Sequence, residues 1–204
     1  METSQIEFEA GSPIVLKFSP SGEKAPLLYC SSSYGSTLIV PKYNSKFLMY
    51  NIPFSISNKI GVVNWKLIYE GSLMSGKLQI RSKKEVSSME TYIGPPSIEA
   101  GGTDYTMLVV IPTDSLDNPF PENTLVLAKH QFLNSEESEE IFTKNLISYK
   151  NIYSQKESGR ILVSSESLGT NSKEFSVTVF PAIPIDFKIS ATRPHGYADG
   201  NQVT

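Results

Sequence analysis

Apolar and polar residues alternate over short stretches along most of the chain. Ile6, Phe8 and Ala10 are separated by Glu7 and Glu9, and Ile14, Leu16 and Phe18 repeat the pattern around Lys17. A period of two places successive side chains on opposite faces of a strand, so each stretch predicts a half-buried β-strand. Further apolar runs at 27–30, 37–40, 47–54 and 62–69, and the pair Leu78 and Ile80, are bounded by Gly, Ser, Pro or Asn. About seven strands in about eighty residues is the density of a β-sandwich. The style repeats downstream. Tyr105, Met107, Val109 and Ile111 alternate, the segment 114–119 is dense in turn formers, and runs follow at 125–132, 140–143, 147–153, 160–164 and 175–179.

No stretch sustains an apolar period of 3.6. The best helical candidate is 136–147, where Ile141, Phe142, Leu146 and Ile147 fit a single turn at most. Glu136, Glu137, Glu139 and Glu140 within it read as a solvated loop tip. Pro95-Pro96 is the expected domain boundary, because consecutive prolines stiffen the chain and do not sit inside a sheet. The expected units are an immunoglobulin-like sandwich over 1–88 and a second over 95–183. Residues 184–204 form the first strand of a further domain, or a C-terminal extension: Ile185, Phe187 and Ile189 alternate after Pro181 and Pro184. The polar end, Asn201-Gln202-Val203-Thr204, should lead into another strand, so the chain reads as a segment of a longer protein.

An internal echo supports tandem units. Glu9-Ala10-Gly11 returns as Glu99-Ala100-Gly101, 90 residues later, and Ala198-Asp199-Gly200 follows Ala100 at 98. Gly61 before Val62-Val63 returns as Gly159 before Arg160-Ile161, again at 98. A glycine between the first strands permits a sharp bend or a positive φ.

The residues Ala198-Asp199-Gly200-Asn201-Gln202-Val203-Thr204 resemble the opening of bacterial immunoglobulin-like repeats of the invasin/intimin type. In those repeats a first strand leads into an Ala-Asp/Asn-Gly turn and a Thr-rich second strand. Asp117-Asn118-Pro119-Phe120-Pro121 resembles the Asp-x-x-Gly-Asn-Pro-Val turn that follows the second strand in the same group, without its glycine and with Pro121 added. The resemblance is strongest over 95–204 and weak over 1–88. It implies tandem sandwiches of a non-catalytic kind.

Composition narrows the picture. The 204 residues, 39% apolar, accommodate two domains of about 100 residues, and the 13 Gly and 13 Pro suit many turns. The net charge is −3 with no basic stripe, which gives nucleic acid no electrostatic footing. One cysteine, Cys30, makes an intrachain disulfide impossible and, set among Leu27, Leu28 and Tyr29, reads as a core filler. No N-x-Ser/Thr sequon occurs, the first residues lack the pattern of a signal peptide, and no run of eighteen apolar residues suggests membrane insertion.

Candidate chemistry is sparse. His130 and His195 sit at no metal-ligand spacing, and neither nucleophile-elbow nor phosphate-cradle motifs occur, so no catalytic residue, metal or cofactor is expected. Asp114, Asp117 and Asp199 lie in turns, where they cap backbone N–H groups or, alternatively, converge on calcium. Tyr149 and Tyr153, four apart on one strand, share a face. Aromatics in a sandwich more often fill the core, as Trp65 should, but an exposed row would stack on sugar rings. The function expected is a structural or adhesive spacer stiffened by proline-rich junctions, in a cell-surface (extracytoplasmic) or virion protein. Its partner would be a protein or a neighbouring copy, with the loops 114–122 and 134–140 or open sheet edges as contacts. The alternative is a carbohydrate-binding module that holds a surface glycan on Tyr149 and Tyr153.

Overall fold

The computed structural model describes residues 6–20, 25–44, 46–69, 72–184, 186 and 188–190. The first half contains β1 (Glu7–Glu9), β2 (Ile14–Phe18), β3 (Leu27–Ser32), β4 (Gly35–Ile39), β5 (Lys42–Asn44), β6 (Phe47–Ile52), the helical turn α1 (Phe54–Ser57), β7 (Gly61–Tyr69) and β8 (Ser72–Arg81). They form one sheet in the order β1-β8-β7-β3-β4 and a second in the order β2-β6-β5. Only the β1–β8 pair is parallel among these. The alternation read from the sequence places Leu16, Phe18, Leu28, Cys30, Tyr50, Val63, Trp65, Leu78 and Ile80 between the sheets, all buried. Phe18 sits edge-on to both Tyr50 and Trp65, with ring centroids 5.6 and 5.4 Å apart. Gly76 faces Trp65 across the β7–β8 ladder, and a Cβ there would lie 2.5 Å from the indole. Only glycine leaves room for that ring.

The second half contains β9 (Ser88–Gly94), β10 (Ser97–Glu99), β11 (Tyr105–Thr113), β12 (Leu125–Phe132), β13 (Ser135–Phe142), β14 (Ser148–Tyr153), β15 (Gly159–Ser167), β16 (Thr170–Asn171) and β17 (Phe175–Phe180). One sheet runs β10-β17-β15-β12-β13, with β16 on β15, and the other β14-β11-β9. The parallel β10–β17 pair mirrors β1–β8. A second closed core of Ile98, Leu108, Val110, Val126, Ala128, Ile161, Val163, Val177 and Val179 lies between the sheets. The chain is therefore all-β: two immunoglobulin-like sandwiches in tandem.

The sequence echo has a structural counterpart. The Ala10 N–H donates to the Arg81 carbonyl and the Ala100 N–H to that of Phe180, each at 2.8 Å, closing the short parallel strand onto the last strand. The next residues, Gly11 and Gly101, turn away at φ +78° and +129° and donate to Ser57 and Gln155 of the corresponding loops.

Several expectations are corrected. Pro95-Pro96 is not the boundary: β9 precedes it and pairs along its length with β11, so Pro95-Pro96 lies inside the second sandwich, where the chain crosses from one sheet to the other. The connection between sandwiches is 82–87, which contains no proline. The stretch 136–140 is neither loop tip nor helix but the edge strand β13, and its glutamates are exposed. Charges at an edge oppose pairing with another chain, which accounts for a polar sequence in a strand. Residues 186 and 188–190 form no strand, and 185, 187 and 191–204, with His195, Asp199 and the Ala198–Thr204 part of the resemblance, lie outside the described residues.

Candidate functional site

The two sandwiches meet at a joint built by the loop between β11 and β12. Within the loop, Asp114 and Asn118 fold the chain on itself. The Asp114 carboxylate accepts N–H groups from Leu116 at 2.8 Å and Asn118 at 3.0 Å, and the Asn118 carbonyl accepts the Asp114 N–H at 2.9 Å. Asp117 takes the left-handed conformation at φ +56° that this tight turn demands and that Asp tolerates. Asp114 and Asn118 are each only 1% exposed.

The same two side chains carry the loop onto the first sandwich. The Asn118 amide donates to the Asn58 carbonyl at 2.9 Å, and its oxygen accepts the Ile60 N–H at 3.0 Å. The other Asp114 oxygen accepts the Lys83 N–H of the connection at 2.9 Å. Leu116 packs against the first core beside Gly11, and its carbonyl accepts Lys59 Nζ at 2.6 Å. Lys83 Nζ reaches Ser115 Oγ at 2.9 Å. Burial pushes the Asp114 carboxyl up, but the N–H groups of Lys83, Asn118 and Leu116 and the Asn118 amide outweigh it and hold the group below the usual aspartate value. With its oxygens taken by N–H donors, Asp114 acts as a turn and joint organiser. A cleft of about 430 Å³ flanks the joint, lined in part by Ile60, Arg81, Pro119, Pro121 and Leu146.

A second feature is the outer face of the β14-β11-β9 sheet. Tyr149 and Tyr153 stand out from it, 59% and 53% exposed, so they are not core residues. The register places Tyr149 and Tyr92 on either side of Val109, and Tyr105 opposite Tyr153, whose rings lie 5.6 Å apart. Tyr92 is also exposed, and its hydroxyl donates to Glu90. Four tyrosines thus share one solvent-facing surface. Tyr92 lies between the two units expected from the sequence, 1–88 and 95–183, and Asn58, Ile60 and Lys83 have no local signature of a contact. The turn formers at 114–118 were the only signal for the joint, and they marked it as an open loop.

The remaining candidates are structural. Cys30 is fully buried, and burial pushes its thiol up to about 12. Tyr50, raised to about 12 by burial and then by Tyr43, donates to the Pro26 carbonyl at 2.7 Å. His130 lies on β12 with its side chain 17% exposed and 3.4 Å from the Glu137 carboxylate. Among the described residues no group of three metal-ligating side chains converges and no helix is long and apolar enough to cross a membrane.

No protein-family model and no curated protein matches the chain. Solved structures do. InvD of Yersinia pseudotuberculosis superposes with a TM-score of 0.62 at 13% identity, over 92% of this chain and 59% of that one. Dpr2 Ig1-Ig2, in complex with DIP-Theta Ig1-Ig3, matches at 0.52 and 12% identity, over 89% of this chain and 64% of that one. A glycosyl hydrolase family 2 member from Bacteroides cellulosilyticus, at 0.41 and 15%, shares 23% of its length and is too distant in shape to bear on activity. The chain spans less than two thirds of each. The likenesses to InvD and to Dpr2 define a class by fold: proteins built from tandem immunoglobulin-like sandwiches.

Proposed function

We propose that this chain is a non-catalytic spacer and adhesive segment of a larger cell-surface or virion protein, built from repeats of the invasin/intimin type. The observation that carries the proposal is the joint. A loop that commits two buried polar side chains and a leucine to the neighbouring sandwich fixes the angle between the two, as a stiff spacer requires and a flexible tether does not. The fold shared with InvD and the Asp117-Asn118-Pro119 turn at the joint support the family. The repeats are then 1–87 and 88–183, and 184–204 is the start of a further one or a C-terminal extension. Small-angle scattering tests it: a single extended conformation is expected, and Asn118→Ala should broaden the distance distribution. A wild-type profile that only a wide ensemble of interdomain angles fits would refute it.

The exposed tyrosines favour a second role, retention of a surface glycan on the β14-β11-β9 face. Tyrosine rings about 13 Å apart along β14 and about 10 Å apart across the sheet form a flat platform with hydroxyl handles. Binding on a glycan array that disappears in Tyr149→Ala/Tyr153→Ala supports this role. Identical array profiles for wild type and variant exclude it.

A further inference from the structure

The two sandwiches use the same sheet position for opposite surfaces. In the first, the outer face of β8-β7-β3-β4 exposes Leu27 (37%), Tyr29 (37%), Leu38 (55%) and Ile68 (48%). These residues adjoin: Leu27 pairs with Ile68, and Tyr29 lies between Leu38 and Lys66. Lys66 and Lys77 stand exposed on the same face, and the edge strand β4 carries no charge. In the second sandwich the equivalent edge, β13, carries Glu136 and Glu140 on the outer face, opposite Gln131 and Leu127, with Phe142 (52% exposed) beyond them.

Among the described residues the ion pairs are Arg81–Glu7, Lys129–Glu166, His130–Glu137 and Lys150–Glu139, so Lys66, Lys77, Glu136 and Glu140 have none. A contiguous apolar sheet face is unusual on a monomer and marks an interaction surface. Two unpaired ammonium groups within it restrict the partner to an apolar surface bearing carboxylates, because an uncharged cover would bury them uncompensated. The chain supplies such a surface itself. Glu136 and Glu140 are about 13 Å apart along β13, and Lys66 and Lys77, on adjacent strands two positions out of register, are about 8 Å apart at Cα. Lysine side chains are long enough to take up the difference. Within one chain the sandwiches meet through the loop between β11 and β12 and residues 58–60 and 83, not through these two faces.

We propose that the outer β8-β7-β3-β4 face of one copy docks on the outer β12-β13 face of a second copy, with Lys66 and Lys77 against Glu136 and Glu140 and with Tyr29 and Leu38 against Phe142. A twofold axis forms the contact twice and closes a dimer; repeated translation forms it once per copy and makes a chain. Either assembly uses the same residues. The contact is independent of the proposed spacer role, which concerns the joint, and of the tyrosine face, which lies on the opposite sheet.

Sedimentation equilibrium of the wild-type chain should show mass rising with concentration, and the association should weaken with added salt. K66E/K77E and E136K/E140K should each lose association by about tenfold or more, a difference of about 1.4 kcal/mol. Mixed together they should recover it, because every contact between the two variants is complementary whereas every contact within one is repulsive. Circular dichroism checks that both variants fold. A wild-type chain that stays monomeric into the millimolar range overturns the proposal. So does association that charge reversal leaves unchanged, or reversed variants that fail to rescue each other.

Discussion

Replacing Asp114 by alanine removes the centre of the joint while leaving both cores intact. The carboxylate accepts three backbone N–H groups, from Lys83, Leu116 and Asn118, and the Asn118 side-chain amide at 3.2 Å. Hydrogen bonds to a charged acceptor contribute about 1.5–3 kcal/mol each, but water entering the emptied site restores part of that, so we expect a total loss of about 3 kcal/mol. The first sandwich should feel about half, through the Lys83 bond and through the docking of Leu116 and Asn118, which the carboxylate holds in shape. The sole tryptophan, Trp65, lies in the first core, whereas Asp114 lies in the second sandwich. Tryptophan fluorescence therefore reports one sandwich while the substitution is made in the other. A loss of about 1–2 kcal/mol should lower the Trp65 melting midpoint by about 5–15 °C for a domain of this size. A Trp65 transition superimposable on wild type would show that the loop rests on its neighbour without coupling to it, and would refute the joint as a source of rigidity.

Four further outcomes are expected. Because the folded Asp114 carboxyl lies below its unfolded value of about 3.9, its contribution is complete above that value and is lost as pH falls through the folded one; the wild-type excess in Trp65 midpoint over Asp114→Asn should shrink on acidification, and a pH-independent difference would contradict this. Gly76→Ala drives a Cβ into the Trp65 ring and should destabilise the first sandwich by about 1–3 kcal/mol in urea, with a shifted native emission spectrum. The Cys30 thiol, raised to about 12 and buried, should react with a thiol reagent at neutral pH only as fast as the first sandwich opens. Tyr149→Ala, on an exposed face, should change stability by less than about 0.5 kcal/mol while removing glycan retention if that role holds.

The period-two pattern carried the fold class. Alternation at 14–18, 62–69, 105–111 and 160–164 named strands that exist, and the inward half of each is the core, because a strand between two sheets must turn every second residue toward apolar neighbours. The Glu-Ala-Gly echo was legible for a similar reason: a strand that leaves one sheet beside the last strand needs a small buried residue and then a bend, and both needs are local. Strand β9 and the acidic first part of β13 escaped the pattern. The first lies before a proline pair that signals a break, and the second is an edge whose glutamates oppose the addition of another strand.

The functional surfaces were decided by the tertiary structure. Asp114 and Asn118 are strong turn formers whether or not anything covers them, and only the approach of residues 58–60 and 83, distant in sequence, turns an exposed loop into a buried joint. Tyr149 and Tyr153 share a face by spacing alone, but a period of two does not say which face is outward. Their exposure, and their company with Tyr92 and Tyr105, follow from which side of the sheet the second core fills. Local sequence determines where strands run and which residues alternate; what those residues meet depends on chain segments that folding brings together from far apart.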